Sequence, residues 1–124
     1  MRRLTVLLVD DDDDARALYV YMLASAGYKV KAVSNGLEAL AEIQVNRPDV
    51  LVTDILMPVL SGLDLIAAVR SDGEFSDLPV VAITSFGVEF RDQARAAGAT
   101  DAIDKPTEEE RMREVIEHAV SRPS

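Results

Sequence analysis

Apolar runs of strand length alternate along this chain with amphipathic stretches of helix length, and short polar turns carrying Gly or Pro separate them. The runs are Leu4 to Val9, Tyr28 to Val33, Val50 to Thr53, Val80 to Ile83 and Asp101 to Ile103. Strands joined through helices lie parallel and wind with right-handed crossovers, because a tight hairpin cannot link parallel neighbours. The alternation therefore predicts an α/β domain, (βα)5, a doubly wound parallel five-stranded sheet with helices on both faces. The third and fourth runs are the most continuously apolar, as strands buried on both sides should be.

The intervening stretches carry helix punctuation. The first shows Ala15, Leu18, Tyr19, Met22 and Ala26 as its inward stripe and ends at Gly27. The second begins after Ser34-Asn35-Gly36 with Leu40 and Ile43 inward, the third shows Leu63, Ile66 and Val69, and the fourth runs to Ala97 before Gly98. In the last, Thr107 and Glu110 stand at capping-box spacing ahead of Met112, Val115, Ile116 and Ala119. At 124 residues with 48% apolar content, the chain fits one domain, with a core from 4 to 120 and a tail from 121.

Composition removes several functions. The net charge of −9 opposes direct binding to nucleic acid or an anionic membrane, which requires clustered Lys and Arg. Without cysteine there is neither a disulfide nor a thiolate metal site. No apolar stretch approaches the roughly 20 residues that span a bilayer, and the expected location is cytoplasmic.

In a doubly wound parallel sheet every strand ends at the same edge, where ligands bind. Strand one ends in Asp10 and Asp11 and continues acidic to Asp14; strand three ends in Asp54; strand four ends in Thr84-Ser85; strand five ends in Asp104-Lys105-Pro106. Two carboxylates about 4 Å apart repel by about 4 kcal/mol at an effective dielectric near 20, so acids crowded at one edge call for a cation. Each residue alone has an ordinary explanation. An Asp after a strand is often a helix N-cap, Thr84 could cap the fourth helix, a run of five acids could be a solvated face, and Lys105 could be a surface lysine. Those explanations do not account for an acid trio meeting a lysine at one edge, and the convergence of four strand ends marks a site.

These residues, together with Pro48-Asp49, Val52-Thr53-Asp54-Ile55-Leu56-Met57-Pro58 and Ser61-Gly62, make the chain resemble the receiver domain of bacterial response regulators from Leu4 to about Val120. The resemblance implies a flavodoxin-like sheet of strand order 2-1-3-4-5. It implies phosphorylation of Asp54 and Mg²⁺ held by Asp10, Asp11, Asp54 and the Leu56 backbone carbonyl. Lys105 and Thr84 would face the phosphoryl oxygens, and Lys105-Pro106 would be cis. The implied partners are a histidine kinase or phosphotransfer protein as donor, a target protein, and a second copy in a phosphorylation-dependent homodimer. Elementary chemistry agrees: Mg²⁺ takes octahedral oxygen ligands, and a carboxylate nucleophile needs charge neutralisation and in-line placement more than activation.

Two places depart from the family pattern. Ala102 stands in strand five where an aromatic ring usually reports the switch, which leaves Phe86 or Phe90 to take over or core packing as their only role. Leu56 and Phe86, two residues beyond Asp54 and Thr84, are apolar and predict slow loss of the phosphoryl group. His118 lies far in sequence from the acids and is expected in solvent rather than as a phosphodonor. The alternative reading is a Mg²⁺-dependent phosphatase with an aspartyl nucleophile, but Leu56 occupies the place of its general acid. A flavin site is opposed by five aspartates where a phosphate loop would lie. The chain is not expected to turn over an external substrate; with no output domain after helix five it would act through other proteins, or it is one segment of a larger regulator or hybrid kinase.

Overall fold

The structure is a computed structural model that describes residues 3–85 and 87–121. Strands β1 (Thr5–Val9), β2 (Lys29–Val33), β3 (Val50–Asp54), β4 (Val80–Thr84) and β5 (Asp101–Asp104) alternate with helices α1 (Asp13–Ser25), α2 (Gly36–Val45), α3 (Gly62–Ser71), α4 (Val88–Ala97) and α5 (Glu109–Ser121). All strand pairs are parallel, and the sheet order is β2-β1-β3-β4-β5. Strand order reverses between β1 and β3, so the edge above Val9 and Asp54 is the crevice of the fold.

Strand alternation divides the core into two layers. Val6, Leu8, Val50, Val52, Val81 and Ile83 face Tyr19 and Leu23 of α1 and Met112, Val115 and Ile116 of α5. Leu7, Val9, Leu51, Val80 and Ala82 face Ile43 of α2, Leu65, Ile66 and Val69 of α3, and Ala94 of α4. Burial of these two layers removes apolar surface from water on both sheet faces and supplies the main folding force. Among the described residues no helix is long and apolar enough to cross a membrane.

Local sequence sets most boundaries. Asn35 and Ser61 cap α2 and α3 by accepting from the amides of Glu38 at 2.9 Å and Asp64 at 3.1 Å. Gly27 follows the end of α1 at φ 101°, a conformation that L side chains resist. Three expectations fail. Leu18 is 49% exposed, and Leu23 takes its place in the inward stripe of α1 beside Ala15, Tyr19, Met22 and Ala26. Thr107 does not cap α5: its hydroxyl is buried without a hydrogen-bond partner, and the first helical bond runs from Met112 to the Glu108 carbonyl. Ser121 belongs to α5 and not to the tail, and its hydroxyl donates to the His118 carbonyl at 3.1 Å.

Candidate functional site

The acidic run at the end of β1 is two structures in succession. Asp12 is the N-cap of α1, accepting from the amides of Asp14 at 2.9 Å and Ala15 at 3.4 Å, and Asp13 and Asp14 fill the first turn, where helix amides favour negative charge. Asp10 and Asp11 remain for the crevice. Their carboxylates and that of Asp54 each present an oxygen within 4.8 Å of the others.

Asp10 is the most enclosed of the three, at 1% exposure, and both of its oxygens are occupied. Oδ1 accepts from the Asp12 amide at 3.0 Å and Oδ2 from Lys105 Nζ at 2.7 Å. Asp54 holds Oδ1 against the Ile55 amide at 2.8 Å, and its Oδ2 accepts from the same ammonium at 3.2 Å. Asp11 is exposed at the mouth. A single ammonium against these carboxylates leaves a surplus of negative charge that a divalent cation would neutralise.

The electrostatics follow from burial. Burial, reinforced by the neighbouring Asp10 charge, raises the Asp54 carboxyl above its ordinary value, and Lys105 offsets only part of that. For Lys105 burial works to lower the value, but the hydrogen bond to Asp10 and the Asp54 charge outweigh it and hold the ammonium above the usual lysine range. Lys105 is therefore protonated at neutral pH and fixed to the acids.

The surrounding chain holds the site in shape. Thr84 is fully buried at the end of β4, one residue beyond the partner of Asp54 in register, and its carbonyl accepts from the Lys105 amide at 2.8 Å. The Lys105–Pro106 peptide is cis. Leu56 lies on the loop after β3 and is 43% exposed. Gly62 donates from its amide to the Ile55 carbonyl at 2.6 Å, and a Cβ built there would stand 2.1 Å from the Asp54 carbonyl oxygen, so only glycine lets α3 start this close to β3.

The other residues named from the sequence lie elsewhere. Asp104 turns away from the crevice and pairs with Arg91 of α4. His118 sits exposed in the last turn of α5, 3.9 Å from Asp101. Phe90 is half-buried against the α2–α3–α4 layer, while Phe86 lies outside the described residues.

Two residues near the acids were not marked as site residues in the sequence. Arg16 donates to the Asp10 carbonyl at 2.8 Å and to Asp13 at 2.6 Å, fixing the β1–α1 turn. Tyr19, noted only as core, places its ring 5.7 Å from Lys105 Nζ. A basic residue just after an acidic run is a signal for the first; nothing local in the sequence distinguishes the second from an ordinary core aromatic.

Fold and site together define a flavodoxin-like α/β domain with an acidic, lysine-bridged crevice at its switch point. The chain belongs to the response regulator receiver domain family, whose model matches residues 6–117. It is 40% identical over 102 residues to the response regulator MprA of Mycobacterium sp. (strain KMS), with 82% of this chain and 44% of that protein covered, so the chain spans less than half the length of that relative. It is 32% identical to the polar-differentiation response regulator DivK of Brucella anthropi, with 90% of this chain and 92% of DivK covered. Among solved structures, a response regulator from Chloroflexus aurantiacus superposes with a TM-score of 0.94 at 32% identity, covering 98% of this chain and all of that one. Members of the family are signalling domains of two-component phosphorelay systems, and they bind Mg²⁺ at an acidic site.

Proposed function

We propose that the chain is a phosphorylation-controlled binding module in which Asp54 takes a phosphoryl group from a phosphohistidine and the altered surface recruits another protein. The observation that carries this reading is the cluster itself, three carboxylates with oxygens within 4.8 Å of one another and an ammonium bonded to two of them. The donor set is oxygen only, which suits Mg²⁺ and excludes a soft metal. Asp10, Asp11, Asp54 and the Leu56 backbone carbonyl would hold the ion. Bound there, Mg²⁺ supplies positive charge to the phosphoryl oxygens and to the acids.

The protein's own groups do the rest. An Asp54 oxygen forms the new P–O bond as the P–N bond to the donor imidazole breaks; the imidazole nitrogen keeps the electron pair and takes a proton from solvent. Lys105 balances charge on the phosphoryl oxygens, and the Thr84 hydroxyl donates to one of them. Attack of water on phosphorus later releases phosphate and restores the carboxylate. The chain thus catalyses only its own phosphorylation and dephosphorylation. A phosphatase acting on external substrates is the weaker reading, since Leu56 cannot serve as a general acid.

Movement of Thr84 toward the phosphoryl group would draw the loop after β4 and α4 with it. Ala102 is buried and carries no ring to swing, so backbone movement is the route this reading favours. The Arg91–Asp104 ion pair supports it, because it ties α4 to the residue beside Lys105. The partners in this reading are a cytoplasmic histidine kinase or phosphotransfer protein, a target protein and a phosphorylation-dependent second copy.

The deciding experiment is incubation with acetyl phosphate and Mg²⁺, read by intact mass and by size-exclusion chromatography. Wild type should gain one phosphoryl mass; Asp54→Asn, or wild type with a chelator, should gain none. An equal gain in Asp54→Asn would overturn the assignment of the acceptor.

A further inference from the structure

We propose that Tyr19 is a positioning residue for Lys105, holding the ammonium beside Asp54 by its ring face. The inference rests on the phosphorylation reading above and deepens it.

Tyr19 is the one aromatic of α1 that points inward, at 3% exposure, and it packs in the layer between α1, α5 and the sheet. A leucine would fill much of that space. One feature goes beyond filling. Its ring centroid is 5.7 Å from Lys105 Nζ, inside the roughly 6 Å over which a cation is attracted to an aromatic face. Burial raises the Tyr19 hydroxyl above its ordinary value, so it stays neutral and adds no charge to an acidic cluster.

The contact matters because of what otherwise holds Lys105. Its ammonium is retained by charge, through Asp10 at 2.7 Å and Asp54 at 3.2 Å. Asp10 and Asp54 lose much of that hold once they share their charge with a divalent cation, which repels the ammonium as well. A lysine stem is flexible, and its strongly hydrated head gains by escaping to water. The attraction of the Tyr19 face survives neutralisation of the acids, because it comes from the ring quadrupole and not from the carboxylates. Tyr19 therefore keeps Lys105 beside Asp54 in the metal-loaded state, when the phosphoryl group arrives.

The test uses the full chain with carbon-13 at the lysine ε position, as wild type, Tyr19→Phe, Tyr19→Leu, Lys105→Met and the Tyr19→Leu/Lys105→Met double variant. The Lys105 ε-methylene protons should be shifted upfield by the ring relative to exposed Lys29 and Lys31, with and without Mg²⁺. Tyr19→Phe should keep that shift and Tyr19→Leu should lose it. With acetyl phosphate and saturating Mg²⁺, Tyr19→Leu should lower the maximal phosphorylation rate about tenfold at unchanged half-saturation for the donor. In the Lys105→Met background it should lower it no further. A folded Tyr19→Leu that reacts at the wild-type rate overturns the proposal, as does an equal drop in both backgrounds. If Tyr19→Leu does not fold, a Tyr19→Phe whose Lys105 resonance matches the exposed lysines overturns it equally. A wild type that takes no phosphoryl group overturns the reading of the previous subsection instead, and the Lys105 resonance then still decides whether Tyr19 holds it.

Discussion

Lys105 donates to Asp10 at 2.7 Å, and this ammonium is the cation that meets the most enclosed carboxylate of the crevice. Removing one partner of a buried pair leaves the other uncompensated, and that costs far more than the intact pair contributes. Lys105→Met should lower stability by about 3 kcal/mol in urea denaturation at neutral pH without metal. The same variant should bind Mg²⁺ about tenfold more tightly by calorimetry, since a competing positive charge is gone. Added Mg²⁺ should then restore most of the lost stability. Unchanged Mg²⁺ affinity would mean that ammonium and ion do not share these acids.

Asp54 is expected to show the opposite sign. Its carboxyl is raised above the ordinary 3.8 by burial and by Asp10, so between those two values the folded state binds more protons than the unfolded one. Stability therefore falls as pH rises through this window, and the cost of the ionised group is complete above the folded value. Asp54→Asn removes that cost and should raise the melting temperature by about 4 °C at neutral pH. The advantage should shrink on acidification and vanish below the ordinary carboxylate range. Lys105 does not blur the comparison: its contribution is fully present below about 10.5 and is lost only as pH rises through its own raised value. Thermal scans of both proteins across the acid range supply the check, and a gap that widens on acidification would contradict it.

What the sequence made legible follows from which forces are local. The apolar runs of β3 and β4 and the capping residues Asn35 and Ser61 are read from neighbours, and their elements form as the pattern dictates. The crevice was legible for a topological reason: a parallel sheet sends every strand end to one edge, so Asp10, Asp54 and Lys105 could be placed together without knowing any side-chain contact. Local competition blurred the rest. Asp12 to Asp14 continue the acidic run of Asp10 and Asp11, and only the capping contacts of Asp12 separate helix start from crevice. Thr107 read as a cap from its spacing to Glu110, but the helix starts two residues later and buries the hydroxyl. Tyr19 could not be told from an ordinary core residue, since the group it meets, Lys105, comes from the far end of the chain.

Gly62 gives a prediction with a built-in control. A methyl group there would collide with the Asp54 carbonyl oxygen at 2.1 Å and the Ile55 Cα at 2.7 Å, both backbone atoms that cannot swing aside. Gly62→Ala should therefore push α3 away from β3, lose the 2.6 Å bond to the Ile55 carbonyl and cost about 3 kcal/mol. Gly73 has open space around it at an ordinary φ, so Gly73→Ala should be neutral or slightly stabilising, by about 0.5 kcal/mol. Denaturant midpoints of the two variants compare them directly. Equal midpoints would show that the start of α3 yields more easily than the 2.1 Å approach implies.

The lifetime of the phosphorylated state tests the loop from the other side. Leu56 stands two residues beyond Asp54 and is 43% exposed, so its side chain is not part of the core. An apolar side chain there can neither donate to nor accept from an attacking water, and it covers part of the approach to phosphorus. Leu56→Asn should leave the melting temperature nearly unchanged, because surface substitutions away from caps and buried partners are usually within about 0.5 kcal/mol. It should shorten the lifetime of the phosphorylated protein about tenfold, the benefit of orienting a water that wild type leaves unoriented. Following the loss of phosphoryl mass after donor removal, with Mg²⁺ constant, measures this lifetime. A longer lifetime in Leu56→Asn would mean that Leu56 assists water entry and does not shield the acceptor.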